Sequence, residues 1–512
     1  MSLVKSTATV GAFTMISRVT GFVRDVIMAN LIGASWMSDA FFVAFKLPNF
    51  FRRLFAEGAF NVAFVPSFSA MLTAEGQKKA VDFAGEVMSV LLVVLLLLNA
   101  VFIVFMPWIT PVFAPGFADS PEKFDLTVAL SRITFPYILF ISLVSLLGGV
   151  LNSLGKFAAP AASPILLNLC MIAGMVWLTN DVATPAHALA ISVFIAGIVQ
   201  FVWLMVICLR HGCMPGLTLP RITPQVRRML LLMAPAALGS GVQQLNLLID
   251  VIIASHIEDA VSYLYYADRI TELPIGVIGV AIGTVLLPML SKHIRAGDME
   301  RARHEMNRAL ELVLLFGLPA TAALLVIAEP VIRVLYMHGA FNLHDMAATT
   351  AALMAFTAGL PAFLVVKVLA PGFYANHDTK TPFKIAMVCV AVNLFFNLLL
   401  IHPFKHVGMA MATTIASWVN VLLMVYILHK RGIFVPDALL KKRLLKLAAS
   451  AKIMALDLFL IDVVTAPFYQ ESMLVRTLTL GAVIAGGMVI YGSSVLALKA
   501  YDHTLLKKLV RR

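Results

Sequence analysis

Apolar residues recur along the chain in stretches that short polar and basic segments separate. Each stretch has about 20 residues, which at 1.5 Å rise per residue is enough to cross a bilayer core of about 30 Å. The pattern predicts fourteen membrane-spanning helices and therefore an all-α integral membrane protein. The predicted centres are Met15, Phe51, Leu95, Ile141, Met171, Val193, Leu238, Ile278, Leu314, Leu353, Val390, Ile415, Leu456 and Val483.

Composition supports the same class of protein. Hydrophobic residues make up 61% of the 512 and charged residues 13%, whereas an ordinary soluble domain has about 25% charged residues. The mean hydropathy is +0.93.

Basic residues lie mainly in alternate loops, which decides the predicted orientation. The segment from Lys292 to Arg308 is rich in Lys and Arg, and the segment from Asp119 to Lys123 is not. Because cytoplasmic loops carry the excess of Lys and Arg, both termini are expected in the cytoplasm. The net charge of +12 is spread over seven such segments, so it predicts no nucleic-acid partner.

Spans 1 and 2 carry an unusual group of ionisable residues. Placing a charge in hydrocarbon costs roughly 2.5 to 3.5 kcal/mol, so such residues normally line a water-filled cavity or bind something. Five cations against three anions predict a cavity that attracts an anionic ligand, although internal salt bridging, for example of Arg24, is an alternative for some members. The candidates are Arg18, Arg24, Asp25, Asp39, Lys46, Arg52, Arg53 and Glu57, with Asn49 on the same helix face. In span 8, Asp268 and Arg269 precede Pro274 and would add a cation from the second half.

Two pairs of similar sequence segments predict an internal repeat. Leu47-Pro48 recurs as Leu273-Pro274 after 226 residues, and the stretch ending at Pro160 recurs at Pro382 after 222. Because six spans is an even number, the two lobes would have the same orientation, with a substrate pathway between them. The predicted division is 1–222, 223–434 and 435–512, the last part holding two additional helices.

Catalytic motifs are missing from the sequence. It contains no GxSxG, HExxH or Walker pattern, and its four cysteines are scattered, so it predicts no enzyme, disulfide framework or resident cofactor. A transferase would need catalytic carboxylates or histidines in its outer loops, and a scaffold would not retain so many intramembrane charges.

Four long runs closely resemble the MurJ/MviN family. They are SRVTGFVRD (17–25), DAFFVAFKLPNFFRRLFAEGAFNVAFVP (39–66), YYADRITELPIGVIGVAIGTVLLP (265–288) and KVLAPGFYANHDTKTP (367–382). The resemblance implies a lipid II flippase of the multidrug/oligosaccharidyl-lipid/polysaccharide exporter superfamily, and we expect it to function as a monomer. It also implies a multi-pass protein of the bacterial inner membrane whose two final helices form a groove for the polyprenyl tail.

The resemblance also assigns residues. The family's functional arginines match Arg18, Arg24, Arg52 and Arg269, and its acidic partners match Asp25, Asp39 and Glu57. The substrate would be undecaprenyl-diphosphate-linked disaccharide peptide. Two alternatives stay open, namely export of another lipid-linked oligosaccharide and multidrug or cation antiport, although an antiporter would favour a cavity rich in carboxylates.

A cation site in the second half is a further expectation. Some members of the resembled family hold Na⁺ with an acid in span 7, where this chain has Asp250, and with polar side chains that correspond to Asn393, Asn397 and Thr413. A second acid often stands where this chain has Asn397. Bound Na⁺, a bound H⁺, or a protonated Asp250 that simply bonds the asparagines are the three alternatives.

Overall fold

A computed structural model describes residues 3–53 and 60–501, with side chains given from residue 9 onward except at 234–243, 280, 281, 283 and 284. Helices dominate these residues, and no β-strand occurs among them. The predicted all-α fold is confirmed.

The helices follow one another with short connections. Their bounds are α1 (Leu3–Ile32), α2 (Trp36–Phe51), α3 (Asn61–Glu75), α4 (Gln77–Phe113), α5 (Pro121–Thr134), α6 (Tyr137–Ser153), α7 (Ala158–Trp177), α8 (Pro185–Arg210), α9 (Pro224–Ala254), α10 (Ala260–Pro274), α11 (Val280–Arg295), α12 (Met299–Val326), α13 (Ala328–Tyr336), α14 (Leu343–Thr357), α15 (Leu360–Tyr374), α16 (Lys380–Lys430), α17 (Ala438–Thr465) and α18 (Met473–Ala497). A π-helix, Ile275–Gly279, joins α10 to α11, and 3-10 helices occupy Pro115–Asp119 and Ala466–Gln470.

Several predicted spans differ in detail from the observed helices. Spans 4 and 10 are each divided into two helices, α5 with α6 and α14 with α15. Helix α16 contains both span 11 and span 12, which separate at Lys405, where φ is 50° and ψ is −131°. Eight helical segments of the described chain are long and apolar enough to cross a membrane, so the count of fourteen stays a prediction.

Helix boundaries repeat at a constant offset along the chain. The starts of α4 and α12, of α5 and α14, and of α7 and α16 are each separated by 222 residues. The interruption between α5 and α6 recurs between α14 and α15 after 223 residues. The order of these helix starts therefore recurs along the chain, and α17 and α18 follow the second occurrence. The parallel orientation of two lobes stays a prediction. The lobe boundary at residue 222 stays a prediction.

The chain divides into two compact units. The first comprises residues 1–262 with 339–341, and the second comprises 263–338 with 342–512. One core cluster of the first unit combines aliphatic and aromatic side chains, and in it the rings of Phe102 and Phe135 stack with centroids 4.4 Å apart. In the second unit the core lies among α11, α12, α15 and α16.

Prolines inside helices leave carbonyl groups that neighbouring helices satisfy. Proline has no N–H, so the carbonyl four residues earlier loses its helical donor, and inside a bilayer an unpaired carbonyl is costly. At three places a side chain from another helix supplies the donor. These are Thr134 Oγ1 to Ala44 O before Pro48 (2.8 Å), Arg132 Nε to Ile103 O before Pro107 (3.0 Å), and Tyr491 Oη to Leu315 O before Pro319 (2.7 Å).

A buried network of charged side chains holds the N-terminal end of α17 in place. Glu311 of α12 is fully buried, and its carboxylate accepts hydrogen bonds from Arg308 and Arg443. Arg308 also pairs with Asp437, whose side chain caps the first turn of α17. Helix α17 is therefore anchored to α12 by paired charges as well as by apolar contact.

Candidate functional site

The polar face of α1 contains a buried arginine with its partners already in place. Arg24 is 4% exposed, and its guanidinium contacts Asp25 Oδ1 at 2.6 and 3.0 Å and Asn168 Oδ1 at 3.0 Å. Asn168, on α7, also donates to the backbone carbonyl of Ser17. A Cβ at Gly21 would lie 3.3 Å from Asn168 Nδ2, so the glycine permits this close approach. Sequence reasoning missed Asn168.

The cations within and directly after α2 are nearer the surface of the first unit. Lys46 and Arg53 are exposed, and Arg52 is half-buried, as is Arg18 on α1. Arg52 Nε donates to Asn49 Oδ1 at 3.0 Å, and Asn49 in turn donates to the carbonyl of Phe45. This chain of bonds orients the Arg52 side chain along the helix. Glu57 lies outside the described residues.

Asp39 is fully buried and held by an unexpected partner. Lys123 Nζ lies 2.7 Å from Asp39 Oδ2, and Asp39 Oδ1 accepts hydrogen bonds from Ser262 N (2.8 Å) and Ser262 Oγ (2.5 Å). Ser262 is in the first turn of α10, so the carboxylate caps that helix end. Sequence analysis treated Lys123 only as a residue of an outer loop, whereas the structure places it in the first turn of α5, buried over the ring of Phe117.

These contacts determine the charge that the first unit presents at its surface. Both described acids of the cluster, Asp25 and Asp39, are buried against a cation. The exposed and half-buried charged members are all positive. A cationic surface of this kind suits phosphate or carboxylate groups, which arginine binds with paired donors.

The second unit carries the other predicted arginine. Arg269 is half-buried and Asp268 is exposed. Arg269 donates to Glu272 Oε2 and to Tyr265 Oη, each at 3.0 Å, and its guanidinium lies 4.9 Å from the centroid of the Tyr265 ring. These contacts fix the orientation of the Arg269 guanidinium, which lies in the part of α10 that precedes the π-helix. Its proposed approach to the arginines of the first unit stays a prediction.

Three of the four predicted cation ligands contact one another. Asn397 Nδ2 donates to Asn393 Oδ1 at 3.0 Å, and Asn393 Nδ2 donates to Thr413 Oγ1 at 3.2 Å. Asp250 is half-buried and accepts from Asn246 Nδ2 at 3.3 Å, a partner that the sequence analysis missed. Within the described residues, no cluster of three or more His, Cys, Asp or Glu side chains could hold a metal ion.

Outside the membrane helices, one loop carboxyl is strongly perturbed. Asp378 accepts hydrogen bonds from Thr381 and pairs with Arg431 Nη1 at 2.6 Å. The hydrogen bonds from Thr381, together with the Arg431 charge, hold the pKa of Asp378 well below its usual range. Asp378 is therefore ionised at neutral pH and ties the connection before α16 to the end of that helix.

Comparisons with known proteins agree with this architecture. The family model described as "Lipid II flippase MurJ" matches residues 28–479. "Probable lipid II flippase MurJ" of Rhizobium tropici is 42% identical over 519 residues, covering 100% of this chain and 97% of the relative. The protein of the same name from Rickettsia prowazekii is 39% identical, covering 98% and 99%.

Solved structures show the same fold. "Lipid II flippase MurJ, inward closed conformation" superimposes with a TM-score of 0.78 and 27% identity, covering 98% of this chain and 99% of that one. An inward-facing multidrug resistance MATE family transporter gives a TM-score of 0.66 at 15% identity, covering 85% and 99%. At that identity the second likeness shows the fold alone.

Proposed function

We propose a transport mechanism from the premise that this chain belongs to the MurJ family of lipid II flippases. It is a multi-pass inner-membrane transporter that moves lipid II, and it is not an enzyme. In the proposed mechanism, cations of α1 and α2 together with Arg269 hold the anionic head group. The two lobes then rock, so that the head group is exposed first to the cytoplasm and then to the opposite side.

The observation that carries this proposal is the sign of the surface charge on α1 and α2. Asp25 and Asp39 are each buried against a cation inside the unit, whereas Arg18, Lys46, Arg52 and Arg53 are half-buried or exposed. Lipid II has a diphosphate and peptide carboxylates, and charge-assisted hydrogen bonds to arginine suit both. This charge favours lipid-linked anions over the cations that an antiporter would carry.

The polyprenyl tail needs a separate path. An apolar chain gains nothing from a cationic cavity, so it stays in lipid while the head group crosses. We place it along the groove between α17 and α18, which follow the two repeated halves. With the cell interior negative, outward movement of each uncompensated negative charge gains roughly 2.3 kcal/mol per 100 mV. Dissipating the membrane potential should therefore slow transport.

Transport of labelled lipid II tests the function directly. In cells depleted of their own flippase, this chain as the sole flippase should restore both growth and the appearance of labelled lipid II in the outer leaflet. A lipid-linked oligosaccharide without the peptide serves as the competing substrate. Equal transport of that competitor and no growth rescue would assign the chain to another lipid-linked substrate.

Orientation is a further part of the proposal. Loop charge supports cytoplasmic termini, with the segment 292–308 inside and the segment 119–123 outside. A single cysteine at Asp119 of a cysteine-free variant should react with a membrane-impermeant thiol reagent in intact spheroplasts, whereas one at Arg295 should react only after permeabilisation. Labelling of both sites in intact spheroplasts, or of the inner site alone, contradicts this orientation.

We also propose that the protein is active as a monomer. Cross-linking of the same spheroplasts should therefore give a single band at the mass of one chain.

We also propose that the movement of a monovalent cation is coupled to transport and that the protein needs no resident cofactor. Asp250 supplies the negative charge, and Asn393, Asn397 and Thr413 supply neutral oxygens. Sodium titration of the purified protein should raise its unfolding midpoint, and Asp250→Asn should remove the shift, with Asp457→Asn as the control acid. No shift at any sodium concentration rules out Na⁺ and leaves H⁺, in which case the transport rate should change with pH only when Asp250 is present.

A further inference from the structure

One amide side chain of α7 contacts the polar face of α1 at three points. Asn168 is 6% exposed, and its Oδ1 atom accepts a hydrogen bond from Arg24 Nη1 at 3.0 Å. Its Nδ2 atom donates to Ser17 O at 3.0 Å and to Thr20 Oγ1 at 3.3 Å. A single side chain therefore links the Arg24 guanidinium to the backbone of the helix that carries it.

The chemistry of these partners fixes the orientation of the amide. A guanidinium has only donors, and a backbone carbonyl has only an acceptor. The amide oxygen must therefore face Arg24 and the amide nitrogen must face Ser17, because the reverse orientation would oppose donor to donor and acceptor to acceptor. Asn168 is thus a rigid acceptor for Arg24.

The contacts with Asp25 alone do not fix the guanidinium plane. Arg24 Nε and Nη2 both donate to the same atom, Asp25 Oδ1, at 3.0 and 2.6 Å. Two bonds that end on one oxygen let the plane pivot about that oxygen, and the bond from Nη1 to Asn168 opposes this rotation. Because Asn168 is neutral, it orients the guanidinium without a second negative charge, which would weaken the attraction for an anion.

We propose that Asn168 is a positioning residue, which holds the Arg24 guanidinium in the orientation that binds the anionic head group. The inference rests on the proposed function, since it assumes that Arg24 takes part in binding lipid II. Asn168 acts through Arg24 and does not itself contact the ligand. Without it, the guanidinium has to be ordered at the moment of binding, and that ordering costs affinity.

Titration of the purified full chain with lipid II, followed by native mass spectrometry, tests the proposal. Asn168→Leu keeps nearly the same side-chain size but removes both hydrogen-bonding groups. The Kd for lipid II should rise by about tenfold, the ratio expected for the loss of one hydrogen bond to a charged group. A wild-type chain that binds no lipid II contradicts the proposed function itself. An unchanged Kd in Asn168→Leu, with binding by the wild type, contradicts only the role of Asn168.

A second buried amide of the first unit provides the matched control. Gln200 of α8 is 1% exposed, donates to Ser163 O at 2.8 Å and contacts Tyr137 Oη at 3.3 Å. Gln200→Leu also removes a buried amide between helices, so it should lower the unfolding midpoint about as much as Asn168→Leu does. Its Kd for lipid II should nevertheless stay unchanged. An equal rise of Kd in both variants assigns Asn168 to packing and overturns the proposal.

A double-mutant cycle tests whether Asn168 acts through Arg24. In the background of Arg24→Gln with Asp25→Asn, the guanidinium is absent, so Asn168→Leu should produce no further rise of Kd. A further tenfold rise in that background overturns the proposal. If Asn168→Leu fails to fold, Asn168→Ser decides by the same criteria, since its hydroxyl is polar but too short to replace the amide oxygen at Arg24.

Discussion

Arg24→Ala should abolish lipid II transport. The guanidinium contacts Asp25 through two nitrogens and Asn168 through one, so its removal breaks a buried ion pair. Breaking such a pair costs about 3 to 5 kcal/mol, which corresponds to roughly a hundredfold or greater loss of any step that needs the intact arrangement. Arg24→Lys should rescue poorly because a single ammonium lacks the planar fork that spans both partners. The measurements are growth complementation and the rate of labelled lipid II transport.

Two further variants distinguish a ligand-binding role from a packing role. The double variant Arg24→Gln with Asp25→Asn removes both charges of the pair and should recover folding without recovering transport. Arg301→Ala is the control, since its side chain is 74% exposed in a surface pair with Asp298. Normal growth of cells that depend on Arg24→Ala combined with Arg269→Ala would refute the proposed arginine site.

Lys123→Ala should cause the largest loss of stability of any single lysine substitution considered. The side chain is buried, and its removal leaves Asp39 as a buried carboxylate without a cation. The expected cost is about 3 to 5 kcal/mol in the free energy of unfolding. Thermal unfolding in detergent, followed by size-exclusion chromatography, measures it.

An exposed pair provides the matched control. Lys79 contacts Glu75 at 3.0 Å, but these side chains are 68% and 44% exposed, so Lys79→Ala should cost only about 0 to 1 kcal/mol. Replacing both members of the buried pair, as Asp39→Asn with Lys123→Met, should recover much of the lost free energy of unfolding. An equal, small effect of Lys123→Ala and Lys79→Ala is the result that contradicts a buried pair.

The helical fold could be predicted because its signal is local. A stretch of apolar residues of the right length is visible without knowledge of its neighbours. The division of span 4 was missed because apolar residues continue through Phe135 and Pro136, where the helix is interrupted. The corresponding interruption of span 10, at Ala358 and Gly359, was missed for the same reason. In both cases a proline or glycine was the available signal.

The site was only partly predictable. An excess of charged residues can be counted within one segment, but the partner of each charge depends on residues that are distant in the sequence. The excess of cations in spans 1 and 2 follows from composition, and it corresponds to the positive surface of the first unit. The partners of Asp39 and Arg24 lie 84 and 144 residues away, and nothing near either residue indicates them. Lys123 was read as a loop residue because a lysine close to a predicted helix end is usually solvated.

The three carbonyl groups that prolines leave open have a consequence for motion. Each is bound by a side chain of another helix, so α2 with α5, α4 with α5, and α12 with α18 cannot slide past each other without losing a hydrogen bond inside the bilayer. These helices should therefore move as rigid groups. Displacement during transport is then expected where the backbone is irregular and no such hydrogen bond crosses between helices, and the π-helix between α10 and α11 is one such place.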